Sequence, residues 1–369
     1  MPFLRLFFSR VSRMFTTLVC IYTLIAYFLG YSLWISHWLV GFVLLSLPLA
    51  MIACGVVAIR LLFSNPKRAV FPLVVLVLGY PFLRRTFAWH TNEEVVVSKS
   101  LKVLSYNVMF FDIDAVSDDV KTSANAKAMI KWIRTFGSDI ICFQEFYNWE
   151  GQKRFKDFNT VAQLQQAGYK YKIFAQNRPP YKKESEGFVG LAITSRYPLI
   201  FRREFLFSNM ANGCLVADVV TPGDTVRLLN VHLQSMGIRV RRILSQADYE
   251  HAKRETKGIL ALLKYGFKHR IEETKQLEKL IEESPHPVII CGDFNEVPYG
   301  YVYGSMKKYL NNAFEDAGNG FGFTYNRSPG LIRIDNQFYD PKSLSVSKFE
   351  THLVKFSDHY PTSAVYTFK

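Results

Sequence analysis

No aspartate or glutamate occurs before Glu93 in this 369-residue chain. Inside that acid-free stretch, Met14–Trp34 and His37–Phe63 are nearly uninterrupted apolar and aromatic runs, the second uncharged before Arg60. A helix crosses the hydrocarbon core of a bilayer in about 20 residues, so each run predicts a transmembrane helix. A cleaved secretory signal fits the first run less well. The run is too long, lacks a small-x-small cleavage site and leads directly into a second apolar segment. A third run, Ala69–Leu83, is shorter and ends at Arg84 and Arg85. It spans if the apolar residues from Phe87 to Trp89 extend it, or if the arginines snorkel.

The eight basic residues of 1–92 set an orientation. Arg5, Arg10 and Arg13 precede the first run, and Arg60, Lys67 and Arg68 flank the link between the second and third. With three spans, the excess of basic residues on the cytoplasmic side leaves the N-terminus inside and everything after about Phe87 outside. Arg84 and Arg85 on the outer side run against this reading, and it inverts if the third run does not cross. The chain therefore divides into a membrane anchor at 1–92 and a soluble domain at 93–369. The expected location is an integral membrane protein, of a bacterial inner membrane, with the soluble domain extracytoplasmic.

Beyond the anchor, 37 basic residues face 31 acidic ones. The formal net charge of +14 thus overstates the basicity of the soluble part, whose mild positive balance suits a phosphate-bearing partner as well as plain solubility. The five cysteines show no zinc or disulfide spacing, and Cys142 and Cys291 interrupt strand-like runs as small buried hydrophobes.

Short apolar runs separated by polar turns predict strands at 101–106, 139–143, 169–175, 189–195, 214–220, 225–231, 288–291, 324–325, 331–338 and 351–355. Helical spacing marks 121–136 and 258–281. Residues 237–270 carry nine basic side chains, which read as a solvated helix face or as a ridge for nucleic-acid phosphates or an anionic membrane. Strands with interspersed helices predict an α/β fold of two packed sheets with outer helices.

The chemistry gathers where apolar runs stop. Val288–Cys291 ends in Gly292, Asp293, Phe294 and Asn295. Gly292 allows a turn or a close approach to a ligand, and alternation puts Asp293 and Asn295 on one side. Asn107, Glu145, His232, Asp335, and Asp358 with His359 likewise stand at the ends of apolar segments. Each alone is weak: Asp293 and Asn295 close turns well, His232 suits a structural role, Asp335 a salt bridge and Asp358 a loop cap. Together at one rim of two sheets they suit hydrolysis of a phosphoester by water with a hard divalent cation. Carboxylate and carboxamide oxygens bind Mg²⁺, and histidine or asparagine stabilises charge on phosphoryl oxygens.

In order, Leu104–Asn107, Phe143–Glu145, Gly190 with Ile193–Pro198, Asn230–Leu233, Gly292–Asn295 with Pro298, Arg333–Asp335 and Ser357–Pro361 resemble the motifs of the endonuclease/exonuclease/phosphatase superfamily, in a membrane-anchored bacterial form. The resemblance covers 101–369 and implies the DNase I-like four-layered sandwich with a divalent-metal site at one end. It implies Glu145 as the principal Mg²⁺ (or Mn²⁺) ligand, helped by Asn107 and Asp358. It further implies Asp293 orienting or deprotonating the attacking water, Asn295 and His232 on the scissile phosphate, and His359, held by Asp335, stabilising the transition state or acting as acid/base.

Two departures stand out. Asn336 replaces an aromatic residue common after the aspartate, and Glu296-Val297-Pro298 lacks the arginine of the inositol polyphosphate 5-phosphatase signature. The implied function is a membrane-tethered phosphodiesterase acting on nucleic acid or on phospholipid head groups, the latter as in sphingomyelinases. The alternative is a non-catalytic anchored scaffold domain.

Overall fold

The computed structural model describes residues 2–90, 100–115, 124–149, 157–175, 188–207, 212–222, 224–235, 249–327 and 330–369. The expected domain boundary at 92/93, and Arg239, Arg241 and Arg242 of the basic stretch, lie outside the described residues.

The first apolar run is one helix, α1 (Pro2–Ser32), ended by Leu33 with φ 49. The second run is broken into α2 (Trp38–Leu45) and α3 (Leu47–Ser64) at Ser46. Pro48 causes the break, because it lacks an N–H and crowds the preceding turn. The third run forms α4 (Pro66–Leu78) and α5 (Tyr80–Arg84), joined by Gly79. Two segments, Ser9–Ser32 and Trp38–Ser64, are long and apolar enough to cross a membrane. The third covers 66–84 in all, a helical rise of about 28 Å.

These runs lie antiparallel in turn. Near one end of the bundle Phe82 meets Gly30 and Tyr27 meets Gly79; at the other, Ser12, Arg13, Arg60, Lys67 and Arg68 line a common groove. The end bearing Phe82 abuts the rest of the protein. A short pairing of β1 (Phe87–Ala88) with β11 (Gly320–Phe321) fastens the connection.

The remainder is built from two mixed sheets. The first holds β2 (Ser100–Asn107), β3 (Ile140–Asn148), β4 (Tyr171–Phe174), β5 (Phe188–Ser195), β13 (Leu344–Thr351) and β14 (Thr362–Phe368), in the order β13-β14-β2-β3-β5-β4. The second holds β6 (Leu199–Leu206), β7 (Gly213–Thr221), β8 (Asp224–His232), β9 (Val288–Asp293), β10 (Asn311–Asn312) and β12 (Asp335–Tyr339), in the order β10-β12-β9-β8-β7-β6.

Between the sheets, Val103, Ile140 and Cys142 meet Leu215, Ala217, Ile289 and Cys291. The outer face of the first sheet is covered by α6 (Ala124–Thr135) and α7 (Thr160–Gln166), whose Met129, Ile133 and Leu164 pack on Leu104, Ile141 and Phe143. The outer face of the second is covered by α8 (Tyr249–Glu282) and α9 (Tyr301–Met306), with α10 (Ala313–Ala317) beside them in the chain. Four layers result, as expected. Central strands bury both faces, which is why they read as continuous apolar runs rather than alternating ones.

Several expected boundaries move. The strand expected at 351–355 runs from Leu344 to Thr351, and the one expected at 331–338 begins only at Asp335. Thr324 and Tyr325 form no strand; Tyr325 makes isolated bridges to Ile332 and His359. β6 and β14 were not expected. Arg202, Arg203 and Glu204 break the apolar pattern of β6, an edge strand with one side in solvent. Of the helix expected at 121–136, 121–123 lie outside the described residues.

Candidate active site

The parallel pairs β2–β3 and β8–β9 end at the same rim, and this convergence assembles the site. Asn107 ends β2, Glu145 lies on β3, and His232 and Asp293 end the register of β8 and β9 side by side. Asp335 opens β12 directly opposite Asp293.

Local backbone aims these side chains. A bulge interrupts the β3–β5 register between Phe143 and Phe146. Glu145 sits in it with φ 51, turned out of the pleat, and Asn295 has φ 48. Non-glycine residues in this left-handed region are uncommon and concentrate at functional positions. Gly292 serves its neighbour strand rather than a ligand: at φ 144, a Cβ there would collide with the Val231 carbonyl of β8.

Below the rim, buried amides tie the two sheets. Gln144 Nε2 donates to Asn230 Oδ1 at 2.6 Å, and Asn230 Nδ2 donates to the Phe143 and Ala192 carbonyls at 2.9 and 3.0 Å. Gln337 Nε2 likewise donates to the Thr362 carbonyl at 3.0 Å.

At the rim the distances are short. Asn107 Nδ2 faces Asp293 Oδ2 at 3.2 Å and Glu145 Oε1 at 3.4 Å, while its Oδ1 accepts from the Met109 N–H. His232 Nε2 stands 3.5 Å from Asp293 Oδ2 and 3.8 Å from Glu145 Oε1. Asn295 Nδ2 donates to the Leu233 carbonyl, and its N–H to Asp293 Oδ1 at 2.8 Å. His359 Nδ1 bonds Asp335 Oδ2 at 2.9 Å, with its Nε2 3.7 Å from Asp293 Oδ2. Asp358 is turned partly aside, with Oδ2 3.4 Å from Arg327 Nε. All eight residues singled out in the sequence thus lie around one rim; Asp293, Asp335 and His359 form its tightest group.

Burial opposes charge on both members of the Asp335–His359 pair. The His359 imidazole is nevertheless pushed up to about 10, because Asp335, Asp293 and Asp358 surround it. For Asp335 burial outweighs the imidazole and its carboxyl lies above the usual range. With several carboxylates around one ring, the proton belongs on the imidazole at neutral pH.

The oxygens of Glu145 and Asp293 converge within reach of one amide and one imidazole, a hard donor set that fits Mg²⁺ or Mn²⁺. The nitrogen of the Asp293–Asp335–His359 group suits Mg²⁺ less well, and its carboxylate–imidazole bond is already made.

Sequence reading missed a buried charge system beneath this rim. Arg270 of α8, counted there in a basic stretch read as a solvated face or a ridge, is fully buried. It donates to the Gln234 carbonyl at 2.9 Å and lies 3.7 Å from Glu296 Oε1. Glu273 Oε2 accepts from the Gln234 N–H at 3.0 Å. The signal was present: Leu263, Phe267, Arg270, Thr274 and Leu277 share one helical stripe, so Arg270 falls on the apolar face.

Residues 104–359 match the Endonuclease/Exonuclease/phosphatase family. That is more than half of the chain, and the chain belongs to this family. Its members are hydrolases of phosphoester bonds and generally use divalent metal ions. Residues 6–86 match a domain of unknown function, DUF8431.

Similar solved structures include an endonuclease/exonuclease/phosphatase from Beutenbergia cavernae (17% identity, 73% of this chain and 72% of that one, TM-score 0.49). Another, from Bacteroides vulgatus, has 15% identity over 74% of this chain and 100% of that one, with TM-score 0.49. A family protein from Leptotrichia buccalis has 14% identity over 72% and 98%, with TM-score 0.48. No curated protein matches the chain.

Proposed function

We propose that this chain is a membrane-tethered, divalent-metal-dependent phosphoester hydrolase whose catalytic domain lies outside the cytoplasm. The observation that carries the reading is the gathering of Asn107, Glu145, His232, Asp293 and the Asp335–His359 pair at one sheet rim. Burying Asp293 and Asp335 this close together is costly, and a surface built only for binding has no use for it.

Glu145 and Asp293 would hold the metal, with Asp358 at its edge, while Asn107 keeps the two carboxylates together. The metal would supply Lewis-acid neutralisation of the phosphoryl oxygens and a lowered pKa for water. Asp293 orients the attacking water or takes its proton. His232 and Asn295 hydrogen-bond the phosphate, and His359, kept charged by Asp335, offers Nε2 to the developing negative charge.

The placement of charge on the anchor supports the orientation. Arg13, Arg60, Lys67 and Arg68 meet at the end of the bundle away from the catalytic domain, and no acidic residue offsets them in 1–92. Arg84 and Arg85, which ran against the orientation, are occupied by the catalytic domain. Arg84 Nη2 donates to the Glu315 carbonyl at 2.7 Å, and Arg85 Nη1 to the Pro298 carbonyl at 3.2 Å.

The test is turnover of bis(4-nitrophenyl) phosphate by the full chain in nanodiscs, with Mg²⁺ and with excess EDTA. EDTA-sensitive cleavage is expected. A folded, inert protein, or cleavage indifferent to EDTA, overturns the reading.

A further inference from the structure

The flank of the soluble domain that sits on the anchor includes the stretch leaving the catalytic rim. The chain leaving Asn295 goes straight to it: Val297 packs against, and Tyr299 belongs to, the apolar cluster of Tyr27, Leu47, Val75 and Phe82. Tyr299 also hydrogen-bonds Thr86. Four residues of chain reach at most about 14 Å, which bounds the distance from Asn295 to that cluster. On the same flank, the Arg333 guanidinium, two residues before Asp335 and 2% exposed, donates to the Arg85 carbonyl, while Arg85 Nη1 donates to the Pro298 carbonyl. Leu33, where α1 ends, lies against Gly304 of α9. The site therefore opens beside the helix ends that emerge from the bilayer.

A flank of the same end has the composition of a headgroup-layer surface. On α8, Phe267 fits against Gly41 and stacks edge-on with Phe42 of the membrane helix, at 5.4 Å between centroids. Lys264 Nζ lies 4.5 Å from the Trp38 ring centroid. From there α8 exposes Leu260, Leu262 and Tyr265 (43 to 48%) among the exposed Lys257, Lys264 and Lys268. Apolar side chains mixed with lysines, continuous with a membrane helix, complement anionic lipid at the water boundary.

We propose that the substrate is a phosphoester carried by a lipid in the leaflet on the catalytic domain's side, an inference that rests on the hydrolase reading above. Lipid phosphates lie in the headgroup layer, where this rim is held. A nucleic acid would have to enter between the domain and a bilayer whose anionic lipids repel it. The anchor then fixes the height of the site above its substrate as well as tethering the enzyme.

The experiment uses the full chain in nanodiscs of phosphatidylethanolamine and phosphatidylglycerol, with phosphatidic acid, sphingomyelin or a polyprenyl diphosphate added in turn. Phosphorus NMR follows the lipid phosphates. Fluorescent single-stranded DNA, duplex DNA and RNA are offered to the same discs, and bis(4-nitrophenyl) phosphate reports the intact site. EDTA-sensitive loss of one lipid phosphoester is expected, faster than any oligonucleotide cleavage by about 100-fold, the lower end of what sharing one surface supplies. Cleavage of the soluble diester with every lipid intact, or with oligonucleotides cut faster than lipid, overturns the lipid assignment and leaves the hydrolase reading standing. Silence on all substrates including the soluble diester removes the hydrolase reading itself.

Discussion

Replacing Asp335 by asparagine isolates the role of the carboxylate–imidazole pair. His359 Nδ1 and Asp335 Oδ2 are 2.9 Å apart, in residues only 6% and 3% exposed. A hydrogen bond to a charged group contributes about 1.5–3 kcal/mol. If the charged imidazole is needed in the transition state, that loss lowers kcat/KM by about 10- to 150-fold. The carboxamide keeps the volume, but it removes the largest charge partner of the buried imidazole, so the melting temperature should fall most below about pH 6.5, where that pairing stabilises the fold. The assay is turnover of bis(4-nitrophenyl) phosphate by Asp335→Asn, His359→Ala and the double variant, each with its thermal melt. Because the two residues act as a unit, the double variant should be no worse than His359→Ala alone. Wild-type turnover by Asp335→Asn, or fully additive losses, would show that the two residues do not act as a catalytic pair.

The raised pKa of His359 makes metal-free stability depend on pH. Its folded value of about 10 exceeds the ordinary 6.5, so its contribution is complete below about pH 6.5 and is lost as pH rises through about 10. Melts in EDTA should therefore fall across that window more steeply for wild type than for His359→Gln; equal slopes contradict the assignment. Arg270→Met leaves Glu296 buried without its cation and should destabilise the fold by about 3–5 kcal/mol, with Arg270→Met/Glu296→Gln recovering most of it in denaturant titrations. Gly292→Ala forces β8 and β9 apart and should cost about 3 kcal/mol or more, read as lost folded protein on size exclusion. On the proposed topology, a single cysteine at Lys67 is modified by impermeant maleimide only after cells are opened, whereas one at Lys342 is modified in intact spheroplasts.

How much of this was legible in the sequence follows from where the physics is local. β9 buries one face against Val103 and Ile140 of the other sheet and the other under Leu277 and Val302 of the outer helices, so a run of apolar residues ending in Gly292-Asp293 marked both a strand and its polar end. The rim residues were legible as a set for the same reason, each standing at or near the end of an apolar run. What escaped depends on partners distant in the chain. The left-handed backbone of Glu145 arises from a bulge against β5 and has no glycine to announce it. Arg270 looked like one of a basic series because only its place on the stripe of Phe267 and Leu277 distinguishes it from Lys264 and Lys268. The seating of Tyr299 on the N-terminal helices was invisible, since it joins residues more than 200 positions apart. β14 was overlooked because Thr362, Ser363 and Thr367 dilute its apolar pattern.

On the proposed function, Glu145 and Asp293 form a metal-dependent phosphoester-cleaving site. The most direct test is a titration of Mg²⁺ into EDTA-stripped full chain in nanodiscs, following bis(4-nitrophenyl) phosphate turnover for wild type and for Glu145→Gln. Saturable restoration is expected in the wild type, and in the variant, at an unchanged melting temperature, a right-shifted or absent response. A wild type that hydrolyses the diester equally without metal, or a Glu145→Gln titration that overlays the wild-type curve, would contradict it.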